Sequence, residues 1–353
     1  MFPDMTETKI HSTAIVDSKA SLGPGVEVGP YAIVNAGVTL GDGCRVGHHA
    51  TIDGPSQIGP RNEFFPYAVI GFKTQDLKYK GEPTYLEIGA DNTFREFCTV
   101  HRATGPGVTV GPYAVIGAGV ELGEGSSVGH HATLEGPSKI GPRNIFFPYA
   151  AIGFVTQDLK YQGEPTYLEI GGGNTFREFC TIHRGTGVGE KTVIGDGNLF
   201  LAYSHVAHDC VVGNHTIFSN NATLAGHVVV GDHAVISGLS AVHQFCRIGA
   251  HSIIGGCAKI VQDVPPYLIA DGNPANLRGV NHVGLERRGF VEADIKALRR
   301  AYRLLADRTL NFSQAVEKIE GSEDAANPHV KILIDFLRST QRGVIRPEPL
   351  AGG

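Results

Sequence analysis

The stretch VAHDCVVGNHTIFSNNATLAGHVVVGDHAVISGLSAV, residues 206–242, places a large apolar residue at every sixth position. These residues are Val206, Val212, Phe218, Leu224, Val230, Ile236 and Val242. A period of six is neither the helical period nor that of a simple strand. Three hexads close a triangular coil whose short strands pair with those of the coils above and below. The stretch therefore predicts a parallel β-helix.

The same period extends over most of the chain. The register runs from Ile10 to Ile70, resumes at Ile88, Phe94 and Val100, and continues from Val110 to Ile152 and, in sixteen hexads without interruption, from Ile170 to Ile260. It stops at Val264-Pro265-Pro266, because consecutive prolines cannot donate ladder hydrogen bonds. We predict an all-β solenoid over residues 1–266.

The solenoid contains an internal duplication. Residues 23–104 are repeated at 105–186, with 63 of 82 positions identical. Each copy counts as twelve hexads, one of them two residues short, plus a 12-residue excursion, Asp76–Glu87 or Asp158–Glu169, which is expected to be a loop. Twelve hexads would make four whole coils, so the duplication is expected to lengthen the prism without turning its faces. The short step is Val100 to Val110.

The tail, residues 267–353, is predicted to be a small α domain that covers the end of the solenoid. Helices are expected at Glu292–Ala306, from a cap at Asn311 or Ser313 through Ile319, and at Val330–Leu337. Six basic residues mark its start: Arg287, Arg288, Lys296, Arg299, Arg300 and Arg303. A solvated helix face and a site for phosphate or an acidic partner are both compatible with them.

Composition excludes several classes of protein. A net charge of −5 argues against nucleic acid as the main partner. The six cysteines have neither zinc spacing nor the density of a secreted scaffold, which predicts buried thiols in a reducing cytoplasm. The start, MFPDMTETKI, does not resemble an export signal, and no run approaches the roughly 18 apolar residues of a membrane span.

One face of the predicted coils has the pattern of an active site. The hexads that begin at Val206, Leu224 and Val242 are 18 residues apart and should stack; they contain His208, Asp209, Gly226, His227, His243 and Gln244. A histidine beside a carboxylate can act as a general base, and a glycine N–H can stabilise an oxyanion. A zinc site from His205, His208 and His227 is the alternative, but the further pattern of trimeric β-helix carbonic anhydrases is not found.

Several motifs together resemble a known family. They are TQDLKYQGEPT (156–166), TIHRGTG (181–187), HVAHDC (205–210), NNATLAGHV (220–228), AVHQF (241–245), QDVPPY (262–267) and GLERRGF (284–290). The chain resembles the UDP-N-acetylglucosamine O-acyltransferases of lipid A biosynthesis over residues 105 to about 345, and residues 10–104 match their N-terminal part a second time. The resemblance implies a left-handed β-helix and transfer of an (R)-3-hydroxyacyl chain from acyl carrier protein to the glucosamine 3-hydroxyl of UDP-N-acetylglucosamine. It also implies no metal or other cofactor and a cytoplasmic homotrimer with sites between subunits.

The resemblance assigns roles to individual residues. It implies that His208 is the general base, Asp209 its orienting partner and Gly226 the oxyanion donor. It implies sugar-side contacts at Gln157, Asp158, Lys160 and His205, and further lining residues at His227, His243 and Gln244. It implies nucleotide contacts at Asn281, Arg287 and Arg288. Gly256 falls at the position that sets acyl length, where a glycine would leave room for a longer chain.

The duplication is a departure from the family. Every predicted catalytic histidine follows the second copy, so we expect Gln157, Asp158 and Lys160 to serve the site. Their duplicates Gln75, Asp76 and Lys78 should lie four coils away, roughly 19 Å along the axis, and be idle. Two alternatives remain: a related sugar-nucleotide N-acyltransferase, whose separate uridine-binding domain finds no counterpart here, and a non-catalytic scaffold, against which the His208 row argues. Acyl length, and UDP-N-acetylglucosamine against its 3-amino analogue, stay open.

Overall fold

The computed structural model describes residues 7–73, 84–101 and 108–347, and it divides into two compact units, residues 1–192 and 193–353. The first unit is a parallel β-helix with three sheets, here called faces 1 to 3. Face 1 consists of Lys9–Ile10, Glu27–Val28, Arg45–Val46, Glu63–Phe64, Thr93–Phe94, Val115–Ile116, Thr133–Leu134, Ala151–Phe154 and Thr181–His183. Face 2 consists of Ile15–Val16, Ile33–Val34, Thr51–Ile52, Val69–Phe72, Thr99–His101, Val120–Leu122, Ser138–Ile140 and Tyr167–Ile170. Face 3 consists of Ser21–Leu22, Val38–Leu40, Ser56–Ile58, Leu86–Ile88, Thr109–Val110, Ser127–Val128, Ile145–Phe146 and Thr175–Phe176.

The hexad residues form the core, as the period predicts. In most two-residue strands the second side chain points inward, and Val28, Val46 and Phe64 are at most 3% exposed; Ile10, in the first strand, is 49% exposed. Phe64 stacks on Phe94 with ring centroids 4.9 Å apart. At most corners one residue adopts a left-handed conformation, for example Tyr31 with φ +56°. Backbone hydrogen bonds between coils offset that strain.

The two copies of the duplication do not lie on the same faces, so the expectation of four whole coils is wrong. Val28 lies on face 1, whereas its duplicate Val110 lies on face 3. Between them the chain makes eleven face-to-face steps, one fewer than four coils require. The reason is the junction: Val100 is on face 2 and Val110 on the next face, so ten residues make one step instead of two. The second copy is therefore rotated by one face, about 120°, relative to the first.

Two further expectations fail near the end of the first unit. Val188 holds a core position in the hexad count, yet it is 76% exposed, because residues 184–190 form a turn between Thr181–His183 and the strand Lys191–Ile194. The loop of the second copy is also displaced from its predicted position: its strand-free part covers residues 155–166, and Glu169 lies within the strand Tyr167–Ile170. There Glu169 forms an ion pair of 2.8 Å with Lys191.

The second unit contains the remaining coils, again with three sheets. One sheet consists of His205–Val206, Thr223–Leu224, Ala241–Val242 and Lys259–Ile260, and a second of Lys191–Ile194, which begins in the first unit, Val211–Val212, Val229–Val230 and Arg247–Ile248. The third consists of Leu199–Phe200, Ile217–Phe218, Val235–Ile236, Ile253–Ile254, Leu268–Gly272 and Ala275–Val280. Its last two strands form an antiparallel hairpin, so the sheet continues past the predicted boundary at residue 266.

The tail is helical, as predicted. The helices are α1 (His282–Arg287), α2 (Glu292–Ala306), α3 (Phe312–Glu320) and α4 (Pro328–Arg338), with a 3-10 turn at Glu323–Ala326. Asn311 caps α3 through a capping box with Gln314. The sequence-based prediction omitted α1 because six residues are too few to show a period. Among the described residues no helix is long and apolar enough to cross a membrane.

The cysteines confirm the predicted burial with one exception. Cys44, Cys98, Cys180, Cys210 and Cys246 are buried free thiols, whereas Cys257 is exposed. Burial raises the pKa of the Cys210 thiol to about 12, so that it stays protonated at neutral pH.

Candidate active site

The predicted histidine row is formed within the second unit. Val206 pairs with Leu224 and Leu224 with Val242 in parallel register, so the residues after them stack in columns, as the spacing of 18 predicts. His208, Gly226 and Gln244 make one column. Asp209, His227 and Phe245 make the next.

His208 and Asp209 form a hydrogen-bonded pair. The Nδ1 of His208 lies 2.8 Å from Oδ2 of Asp209, and the Asp209 side chain is only 7% exposed. Asp209 occupies a corner with φ +58°, a conformation that aspartate tolerates better than most residues. Because a carboxylate only accepts, the neutral ring donates from Nδ1 and keeps its lone pair on Nε2. In this tautomer Nε2 is the ring nitrogen able to accept a proton.

Gly226 lies directly beneath this imidazole. A Cβ built on Gly226 would stand 2.5 Å from Nε2 and 3.0 Å from Nδ1 of His208, so only glycine leaves room for the ring. Gly226 is buried, and no hydrogen bond among the described residues uses its N–H. A backbone donor thus lies beside the nitrogen that would receive the proton.

His227 and Phe245 extend the site along the second column. His227 Nε2 lies 3.8 Å from Asp209 Oδ2, its ring meets that of His208 edge to face at 5.2 Å, and Phe245 stacks on it at 4.6 Å. Phe245 is not among the residues predicted from the sequence. The spacing of 18 residues that aligned Asp209 with His227 would have found it.

His205 lies in the same coil as His208 and is partly buried. Burial, and then the nearby His208, lowers the pKa of His205 below its ordinary value of 6.5. A neutral imidazole at this position can exchange hydrogen bonds with a sugar hydroxyl without adding charge.

The cluster of His208, Asp209 and His227 could also hold a metal ion, since one ligand atom from each lies within 4.8 Å of the others. This donor set differs from the zinc alternative of the sequence analysis, in which His205 was the third ligand. The 2.8 Å hydrogen bond engages the Nδ1 of His208 with Asp209, which fits a proton relay at least as well as a metal site.

The three residues expected at the nucleotide end are found around α1. Asn281 is 2% exposed; its Oδ1 accepts from Gly284 N at 3.1 Å as the cap of α1, and its Nδ2 donates to the His251 carbonyl at 2.9 Å. Its amide therefore has a structural role, and a nucleotide contact stays a prediction. Arg287 and Arg288, at the other end of α1, are exposed.

Gly256 is exposed and faces open space. A Cβ there would meet only the Gly238 carbonyl oxygen, at an ordinary 3.6 Å. The position therefore tolerates a side chain, and its role in acyl length stays a prediction.

The loop of the second copy lies in the first unit and is ordered by its own hydrogen bonds. Asp158 N donates to Thr156 Oγ1 at 3.0 Å, and Asp158 Oδ1 accepts from Lys160 N at 2.9 Å, while Gln157 is exposed. That these residues serve the histidine row stays a prediction. Their duplicates Gln75, Asp76 and Lys78 lie outside the described residues.

Family models match the chain in two ways. The model described as UDP-N-acetylglucosamine O-acyltransferase, domain 2, matches residues 263–345. The model of bacterial transferase hexapeptide repeats matches residues 19–54, 104–136 and 191–226. The second match agrees with the hexad register, and the first covers the tail beyond it.

Two curated relatives are named acyl-[acyl-carrier-protein]–UDP-N-acetylglucosamine O-acyltransferase. The protein of Thermodesulfovibrio yellowstonii is 47% identical over 240 residues, which cover 68% of this chain and 93% of the relative. The protein of Akkermansia muciniphila is 53% identical over 237 residues, covering 67% and 92%.

Two solved structures of UDP-N-acetylglucosamine acyltransferases are also similar to this chain. UDP-N-acetylglucosamine acyltransferase of Francisella novicida is similar at a TM-score of 0.69 and 34% identity, covering 73% of this chain and 94% of its own. The Arabidopsis enzyme of the same name gives a TM-score of 0.58 and 32% identity, with 96% and 100% covered. The hexapeptide repeats and these neighbours fit a left-handed parallel β-helix.

Proposed function

Because the chain belongs to the family of acyl-[acyl-carrier-protein]–UDP-N-acetylglucosamine O-acyltransferases, we propose that it transfers an acyl chain from acyl carrier protein to UDP-N-acetylglucosamine, the first step of lipid A biosynthesis. The donor is an (R)-3-hydroxyacyl thioester and the acceptor the glucosamine 3-hydroxyl. No metal or other cofactor takes part. The chain acts in the cytoplasm as a homotrimer with its sites between subunits.

His208 is the general base of the reaction. Its Nε2 removes the proton of the 3-hydroxyl as the oxygen attacks the thioester carbonyl. The resulting oxyanion accepts a hydrogen bond from Gly226 N–H, which lies beside the ring. Collapse of this intermediate breaks the C–S bond, and the imidazolium returns the proton to the leaving thiol. Asp209, 2.8 Å from Nδ1, orients the ring and stabilises the imidazolium.

The remaining predicted residues bind the two substrates. Gln157, Asp158, Lys160 and His205 contact the sugar, and His227, His243 and Gln244 line the site. Arg287 and Arg288 are exposed cations suited to a diphosphate. Gly256 lies at the position that sets acyl length, where the lack of a side chain leaves room for a longer chain.

The observation that supports this proposal most directly is the His208–Asp209 pair over Gly226. The test is to incubate purified protein with UDP-N-acetylglucosamine and acyl carrier proteins bearing (R)-3-hydroxyacyl chains of several lengths, and to follow ester formation by mass spectrometry. Turnover that is lost in His208→Asn and unaffected by a chelator is expected. Amide formation with a 3-amino sugar alone would point to an N-acyltransferase. Inactivity with every donor would favour a scaffold.

A further inference from the structure

The last residues that the structure describes return to the final coil of the second unit, which contains Asp263. We call residues 340–347, which follow α4, the C-terminal strap. Asp263 binds the strap: its N–H donates to the Gly343 carbonyl at 2.9 Å, and its carbonyl accepts from Ile345 N at 3.0 Å. Its carboxylate accepts from Thr340 Oγ1 and from Arg247 N, each at 2.9 Å.

This attachment is firm because Asp263 is 1% exposed. A buried carboxylate is costly unless its oxygens accept hydrogen bonds, and here one of them comes from the strap itself. Removing the strap would leave that oxygen without its partner. The fold therefore holds the strap in one place.

The strap brings Arg342 against a residue of the proposed site. Nη2 of Arg342 lies 3.3 Å from Nδ1 of His243, the residue that follows Val242 in the third coil of the histidine row. Gly343 makes this approach feasible, since its φ of +76° turns the strap back toward Gln262.

Nδ1 of His243 has two neighbours with opposite hydrogen-bonding roles. The Gln244 carbonyl oxygen, also at 3.3 Å, can only accept a hydrogen bond, whereas the Arg342 guanidinium can only donate one. One ring nitrogen cannot serve both at once. Whichever neighbour prevails decides the tautomer of the ring.

We infer that Arg342 is a positioning residue that holds His243 as the tautomer with its proton on Nε2. A charged donor forms the stronger hydrogen bond, so Nδ1 accepts from Arg342 and Nε2–H becomes the donor that His243 offers a substrate. Without Arg342, Nδ1–H turns to the Gln244 carbonyl and Nε2 becomes an acceptor. This inference rests on the proposed function only in placing His243 among the substrate contacts. The ligand atom it fits is an oxygen that accepts a hydrogen bond, such as a carbonyl or hydroxyl oxygen.

The first test reads the tautomer directly. Protein labelled with ¹⁵N-histidine is sedimented and its imidazole nitrogens are measured by solid-state NMR, with the His243→Gln spectrum identifying the signals. We expect protonated Nε2 in the wild type and protonated Nδ1 in Arg342→Ala. The control is Arg346→Ala on the same strap, whose guanidinium lies 5.9 Å from the Phe312 ring. Protonated Nδ1 in the wild type would overturn the inference even if the enzyme has another activity.

The second test is a double-mutant cycle on turnover. Arg342→Ala is expected to raise KM about tenfold with kcat less affected, and Arg342→Lys, which restores a charged donor, to recover part of the loss. Glutamine has no tautomers, so in the His243→Gln background Arg342→Ala should have little further effect. Equal losses in both backgrounds would mean that the strap only supports the fold. A wild type without activity would refute the proposed function and leave the NMR result standing.

Discussion

Replacing Gly226 by alanine tests the geometry of the site with a single methyl group. The new Cβ would lie 2.5 Å from Nε2 of His208, against about 3.4–4.0 Å for ordinary contacts between such atoms. Some atom must therefore move by about 1 Å. The atoms in the way belong to the His208 side chain and not to backbone, so the imidazole is the group that yields.

A displaced imidazole should abolish much of the rate while leaving the fold intact. A shift of about 1 Å in a reacting group costs on the order of 100-fold in rate. Rotation of the imidazole also breaks its 2.8 Å hydrogen bond to Asp209, so the ring is no longer held in the correct tautomer. We expect kcat to fall by about 10² to 10³ with a melting temperature close to that of the wild type.

The assay is ester formation under saturating substrates, with thermal unfolding measured on the same samples. Gly321→Ala is the matched control, since a Cβ there meets only the Glu317 carbonyl oxygen at 3.5 Å in the tail. A Gly226→Ala enzyme within threefold of the wild-type kcat would refute the placement of His208 as base over Gly226. A collapse of the melting temperature would show that the backbone yields instead of the ring.

Three further changes probe other parts of the molecule. Asp158→Ala should abolish turnover while Asp76→Ala should not, and the opposite result in the ester assay would reassign the loops. Gly256→Met should shift preference toward shorter acyl donors in a competition assay, because only one backbone atom lies within 4 Å of its Cβ; an unchanged chain-length profile would exclude the role of Gly256. The pKa of His251 is lowered to about 4 from its ordinary 6.5, mainly by burial, so the unfolded chain binds the proton first. Stability should therefore be lost as pH falls from about 6.5 to about 4; His251→Phe should flatten this loss of melting temperature more than the exposed control His11→Phe does.

The sequence alone predicted the fold class and the stacking that brings His208, Asp209 and Gly226 together. Apolar residues at a period of six predict the coils, and a spacing of 18 predicts that His208 and Gly226 share a column, because stacked coils repeat with the same number of residues. The carboxylate partner was equally visible, since Asp209 is the next residue. The hexad count gave wrong expectations where the strands are not evenly spaced, between Val100 and Val110 and at residues 184–190. A hexad position at Val188 says nothing about whether the chain there runs in a strand or in a turn.

Contacts between distant residues were also invisible to the sequence. The strap reaches His243 through a separation of 99 residues, and no repeat or period connects Arg342 to the row. Asn281 is a second example: its type fits a nucleotide contact, and only the structure shows that its amide also caps α1 and donates to the His251 carbonyl. Only the three-dimensional neighbours decide between such roles.

The two copies of the duplication differ in charge on a row of outward-facing residues, which lies on face 1 in the first copy and on face 3 in the second. In the first copy, Lys9, Glu27, Arg45 and Glu63 form an alternating row on face 1, with ion pairs of 3.4 to 3.7 Å. The duplicates of the last three, on face 3, are Thr109, Ser127 and Ile145. Exposed pairs of this kind contribute at most about 1 kcal/mol each, so the charges affect which surfaces can associate more than they affect stability.

The rotation also bears on which of the two loops serves the active site. The strand before the first loop, Val69–Phe72, lies on face 2, whereas the strand before the second, Ala151–Phe154, lies on face 1. Eleven steps of a three-faced coil displace the second of these strands from the first by roughly 18 Å along the axis and by about 120° around it. Four whole coils would have left these two strands on the same face. Because the second copy is rotated by one face, the strands that precede the two loops lie on different faces, which supports the proposal that only the second loop serves the histidine row.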